Sequence, residues 1–166
     1  MSRTCSDALE KVEEARRSLG LMKLVWDTQM PHLPGFTAKE EHDYHLRQFM
    51  EACYSAISYF EEDSKRARWA KNFKILHPDF YAKGTGYRST DVHKHSLRPE
   101  EKDYEPPHGN KVNWDELQEC HPVNGNQVNW MFKRDLYFPG DSEQTIFRRC
   151  SEHWREVNDF VRQACS

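Results

Sequence analysis

Residues 37–60, Thr-Ala-Lys-Glu-Glu-His-Asp-Tyr-His-Leu-Arg-Gln-Phe-Met-Glu-Ala-Cys-Tyr-Ser-Ala-Ile-Ser-Tyr-Phe, decide the fold. Thr37 followed by Glu40 matches a capping box, in which a hydroxyl and a carboxylate each satisfy a backbone N–H that the first helical turn leaves over. Leu46, Phe49, Cys53, Ile57 and Phe60 then alternate steps of three and four, which draws a narrow apolar seam along a helix. Upstream, Leu9, Val12, Leu19, Met22 and Trp26 predict another helix, from about Ser6 to Asp27. The breaker cluster Met30-Pro31-His32-Leu33-Pro34-Gly35 ends it. Downstream, Glu61 to Ser64 reads as a turn, with Asp63 or Ser64 capping a third helix that reaches about Leu76; a single long helix is the alternative. Near the end of the chain, Asp141 with Gln144 opens a last helix whose buried face is Phe147, Cys150, Trp154, Val157 and Val161.

Between His77 and Gly140 the character changes. Gly84 and Gly86 bracket a loop, and Asp91 to Leu97 starts a short helix that Arg98-Pro99 and Glu105-Pro106-Pro107 interrupt. Val112-Asn113-Trp114 recurs as Val128-Asn129-Trp130, with Asn124-Gly125 between the copies, a hairpin signal. Amphipathic helices that cannot bury their stripes alone imply a bundle. The expectation is an all-α fold: an up-down bundle of about four or five helices forming one domain over 1–166, with a loop or β-hairpin insertion over 105–138 before the last helix.

The net charge is only −3 and aromatic residues reach 13%, so the core leans on Trp, Tyr and Phe, and a globally basic nucleic-acid binder is disfavoured. A mean hydropathy of −0.99 with no long apolar run argues against a membrane span. The opening residues also lack the apolar stretch of a signal peptide. Cys5, Cys53, Cys120, Cys150 and Cys165 are odd in number and widely spaced, without a C-x-x-C pair. That pattern favours reduced thiols, with Cys53 and Cys150 as small core residues, in a cytoplasmic protein.

The densest polar cluster is Tyr87-Arg88-Ser89-Thr90-Asp91-Val92-His93-Lys94-His95. An Arg and a His at such a distance can cleave RNA without metal or cofactor: the His takes the proton of the 2′-hydroxyl and the guanidinium holds the scissile phosphate as charge develops. Upstream, Lys65, Arg66, Arg68, Lys71 and Lys74 form a basic run with Trp69 and Phe73 interleaved, suited to backbone attraction and base stacking. Arg-x4-6-His spacing also occurs in Arg88/His95 and Arg148/His153, and the basic context favours Arg88. A metal reading competes. His42 and His45 share a helix face beside Glu41, and His93, His95 or His153 with Glu152 would complete a set. Cys120-His121 lacks facing geometry for a nucleophile pair, and Lys83-Gly84-Thr85-Gly86 lacks the spacing of a P-loop.

Amphipathic helices followed by Arg-x4-His, here Arg88 to His93, resemble the HEPN superfamily of small helical bundles. The resemblance spans roughly Ser6 to Leu97 plus the last helix. It implies a metal-independent ribonuclease, often a toxin, whose Arg and His line a cleft between two protomers of a homodimer. Arg88 would contact the phosphate and His93 would act as base. The residue after the Arg is usually Asn, Asp or His in that family, and here it is Ser89. Other members only bind partners. A non-catalytic module that forms a homodimer or takes a protein partner is therefore the second reading, with Trp114, Trp130, Phe132, Tyr137 and Phe138 as its contact surface.

Overall fold

The computed structural model describes residues 2–89, 98–103, 134–141 and 143–166. Its elements are helices α1 (Arg3–Thr28), α2 (Ala38–Ser58), α3 (Ala67–Leu76), α4 (Pro78–Tyr81) and α5 (Ile146–Cys165), with strands β1 (Glu100–Asp103) and β2 (Arg134–Tyr137) before α5. The chain divides into two compact units, one of Met1–Arg98 with Phe147–Ser166 and one of Pro99–Ile146. The fold is the expected all-α bundle with a small two-stranded insertion before the last helix. Among the described residues no helix is long and apolar enough to cross a membrane.

In the helical unit, Ser2 caps α1 by accepting from the Cys5 N–H, and Thr37 and Glu40 close the capping box of α2. α1 packs against α2, with Trp26 near the end of one meeting His42 near the start of the other at 5.9 Å between ring centres. The buried stripe of α1 is Cys5, Ala8, Val12, Ala15, Leu19, Met22, Val25 and Trp26, whereas Leu9 is only half-buried. Small side chains at Ala8 and Ala15 carry no strong hydropathy signal, which is why the sequence pattern favoured Leu9. The seam of α2 is buried as expected at Leu46, Phe49, Cys53 and Ile57, and Phe60, in the turn just past the helix, is buried as well.

The turn between α2 and α3 is real, so they are separate helices. Asp63 accepts from the backbone N–H groups of Lys65 and Arg66 and from the Arg66 guanidinium. Asp141 also accepts from two backbone N–H groups, those of Glu143 and Gln144, but α5 starts only at Ile146. Asp141 thus closes a turn ahead of the helix instead of capping it. α5 is then gripped from several directions: Trp154 Nε1 donates to the Val12 carbonyl at 3.0 Å, Phe160 packs on Phe60 and Phe73, and Cys165 is bonded to Cys5. That disulfide corrects the expectation of thiols that are all reduced; Cys53 and Cys150 are free and buried as expected.

In the second unit, β1 and β2 pair antiparallel, from Glu100 opposite Tyr137 to Asp103 opposite Arg134. The strands expected around 112–114 and 128–130 lie outside the described residues, as do Trp114, Trp130 and Phe132, and the pairing observed flanks the duplicated segment. Tyr137 and Phe138 are buried, so they do not offer a contact surface.

A crosslink between residues 160 positions apart removes loop entropy from the unfolded chain worth up to about 5 kcal/mol. We expect Cys5→Ser, or reduction, to lower unfolding free energy by up to that amount in urea titrations. Thiol counting on the denatured oxidised protein should give two fewer reactive thiols than after reduction.

Candidate functional site

The residues that position Arg88 come from α2 and from the loop after α4. Gly84 takes a positive φ of 81°, and its N–H donates to Ser89 Oγ at 2.9 Å. At Gly86 a Cβ would lie 2.7 Å from both the Ala82 nitrogen and the Phe80 carbonyl oxygen, so only glycine lets the chain pass there. This turn delivers Arg88 to the flank of α2. Its Nε donates to Glu51 Oε1 at 2.8 Å, a second guanidinium nitrogen reaches Oε2 at 3.4 Å, and the planar group lies 3.8 Å above the Tyr54 ring. Lys74 approaches the same ring at 3.7 Å while donating to Ser58 and pairing with Glu61. Two cations therefore flank Tyr54, and the Arg88 side chain remains 18% exposed. His93 and His95 lie outside the described residues.

The basic run divides by role. Lys65, Arg68 and Lys71 are exposed, together with the indole of Trp69 at 50% exposure. Arg66 is held by Asp63 and Lys74 is drawn inward, so these two anchor the helix. Phe73 is not available for base stacking: it packs on His77 and Phe160.

His42 and His45, expected on one face beside Glu41, are buried with it, but their side chains take different partners and serve the fold. Glu41 Oε2 accepts from the backbone N–H groups of His32 and Leu33, and Oε1 faces His45 Nε2 at 3.3 Å. Burial opposes ionisation of Glu41, yet those two N–H groups and His45 outweigh it and hold the carboxyl below its ordinary value. The carboxylate ties the breaker loop to α2. His42 turns to Asp43 and Trp26 instead. Glu152 pairs with Arg148 on the exposed side of α5, while His153 is buried. These residues do not converge on one centre.

A different histidine set does converge. α3 ends at Leu76 because Pro78 disfavours helical backbone at His77, which sits at φ −118°, ψ 61° between α3 and α4. His77 Nδ1 and His153 Nδ1 each lie 3.4 Å from Glu156 Oε2. The His153 ring stacks on Phe80 at 3.9 Å, and its Nε2 shares a 2.6 Å hydrogen bond with Tyr81 Oη. Burial, and then the neighbouring His77, push the His153 pKa down to about 3, so the ring is neutral at neutral pH. Burial also raises the Tyr81 phenol well above its usual range. Sequence reading listed His153 but missed His77 and Glu156; the signals were His77 before a proline and a His-x-x-Glu step on the last helix.

No protein-family model matches the chain, and no curated protein or solved structure is significantly similar to it.

Because the folded pKa of Glu41 is depressed, its contribution is present above the unfolded value near 4.5 and is lost as pH falls through the folded one. Glu41→Gln should melt at a lower temperature than the wild type at pH 7. The gap should narrow as pH drops below 4.5 in melts followed by circular dichroism.

Proposed function

We propose that this chain is a HEPN-like RNA-binding bundle that cleaves RNA without metal, with Arg88 as the phosphate contact and His93 as the base. The observation that carries the reading is the fixing of the Arg88 guanidinium by Glu51 above Tyr54, with Lys74 at the same ring. A guanidinium whose orientation is already set loses little freedom when it meets a phosphate, and it can favour the charge that develops during transfer. α3 and the turn before it add Arg68, Lys71 and Lys65 as cations for the backbone, with Trp69 as a base-stacking platform. In the reaction, His93 removes the 2′-hydroxyl proton and the 2′-oxygen attacks the adjacent phosphorus. The 5′-oxygen leaves with a proton from water, and the upstream product ends in a 2′,3′-cyclic phosphate.

Mixed RNA incubated in EDTA with the wild type, Arg88→Ala and His93→Ala tests it. Cleavage by the wild type and a loss of about 10²-fold or more in each variant is the expected result. Inertness of the wild type toward RNA would leave the non-catalytic, partner-binding module as the better account. Binding should separate the contacts: Trp69→Ala should weaken single-stranded RNA by about 1–3 kcal/mol in anisotropy titrations. Lys71→Ala should lower the salt slope by about one.

A further inference from the structure

We propose that His77, His153 and Glu156 form a mononuclear site for a divalent first-row transition metal of the zinc class. The inference stands apart from the RNA reading, since Arg88 takes no part in it. The three donor atoms all lie within 4.8 Å of one another, and both nitrogens are 3.4 Å from the same carboxylate oxygen. For metal–ligand distances of about 2.0–2.1 Å, neighbouring donors of a tetrahedron are separated by about 3.3–3.4 Å. The two distances to the carboxylate therefore already have the length of tetrahedron edges.

A second observation is independent of that spacing. His153 is 1% exposed, and its Nδ1 is buried with no hydrogen-bond partner among the described residues. A polar atom left in that condition destabilises the fold unless something occupies its lone pair. Tyr81 at Nε2 supplies the complementary part: in the tautomer whose Nε2–H donates to Tyr81 Oη, the Nδ1 lone pair points at His77 and Glu156. A hydrogen bond of this kind on the far nitrogen orients and fixes metal-bound histidines.

The donor set chooses the ion. Two imidazoles and one carboxylate suit zinc, cobalt or nickel and are poor for calcium or magnesium, which take oxygen ligands. Cys150, one turn before His153, is buried and is not among the donor atoms that converge there, which are those of His77, His153 and Glu156. The side chains of His77 and Glu156 are 21% and 51% exposed, which gives the ion a route in from solvent and leaves a fourth position for water. Three protein ligands plus water is the arrangement of catalytic rather than closed structural zinc sites.

The test is a titration of the chelator-treated, dialysed full chain with cobalt(II), followed by visible d–d absorption, with zinc added as competitor. Wild type and Glu152→Gln should each take up one equivalent that zinc displaces. His77→Ala and Glu156→Gln should bind at least about tenfold more weakly, and Tyr81→Phe about 10- to 100-fold more weakly. Both ligand positions are partly exposed, so metal-free melting temperatures should match the wild type, and zinc should raise only those of proteins with an intact site. Absence of a cobalt spectrum in the wild type would overturn the proposal. So would equal affinity in folded His77→Ala and Glu156→Gln.

Discussion

Helix α5 must satisfy different neighbours from adjacent positions, and the helical unit depends on its doing so. Trp154 donates its indole N–H to the Val12 carbonyl, and Cys165 closes the far end onto Cys5, which ties α5 along α1. His153 and Phe160 receive the rings of Phe73, Phe80 and Tyr81 from α3 and α4. Consecutive helical residues point about 100° apart, so neighbours such as His153 and Trp154 can face different partners. α3 has 10 residues and buries only Ala70 fully, too little for a helix of that length to persist unsupported. Its position rests on the aromatic contacts that α5 receives.

This arrangement explains how a polar histidine comes to sit in the aromatic core. Phe80 stacks on the ring face and Tyr81 satisfies one nitrogen, which offsets part of the cost of burying an imidazole. The other nitrogen is left toward His77 and Glu156. On the flank of α2, Tyr54 gathers Arg88 and Lys74, and its ring stands 6.2 Å from that of Tyr81. The histidine set and the basic set thus meet through two tyrosines.

Local chemistry made much of the fold legible. The Thr37–Glu40 box and the seam from Leu46 to Phe60 are relations within a few residues, and both are present as read. The alanine stripe of α1 was not legible, because small side chains that allow close approach do not register as hydrophobic peaks. The disulfide was hidden by its span of 160 positions, and β1 was hidden by its charged sequence Glu-Glu-Lys-Asp. Arg88 stood out through its polar neighbours, but Glu51, which holds it, is 37 positions away, and Tyr81 meets His153 across 72. Spacing alone could not choose among the Arg-x4-6-His matches. Arg148 and His153 match Arg-x4-His, yet Arg148 is 68% exposed and paired with Glu152 while His153 is buried.

The most direct measurement for the functional account is the nitrogen-15 spectrum of the arginine side chains, with Arg88 assigned through Arg88→Lys. Fixed by Glu51, the Arg88 Nε–H should give a resolved, slowly exchanging signal that disappears into the exposed arginines in Glu51→Gln. That signal should shift on addition of a short single-stranded RNA, while the signals of Arg3 and Arg162 stay in place. An Arg88 signal that exchanges as fast as the exposed arginines, or that ignores RNA while others respond, would contradict the account.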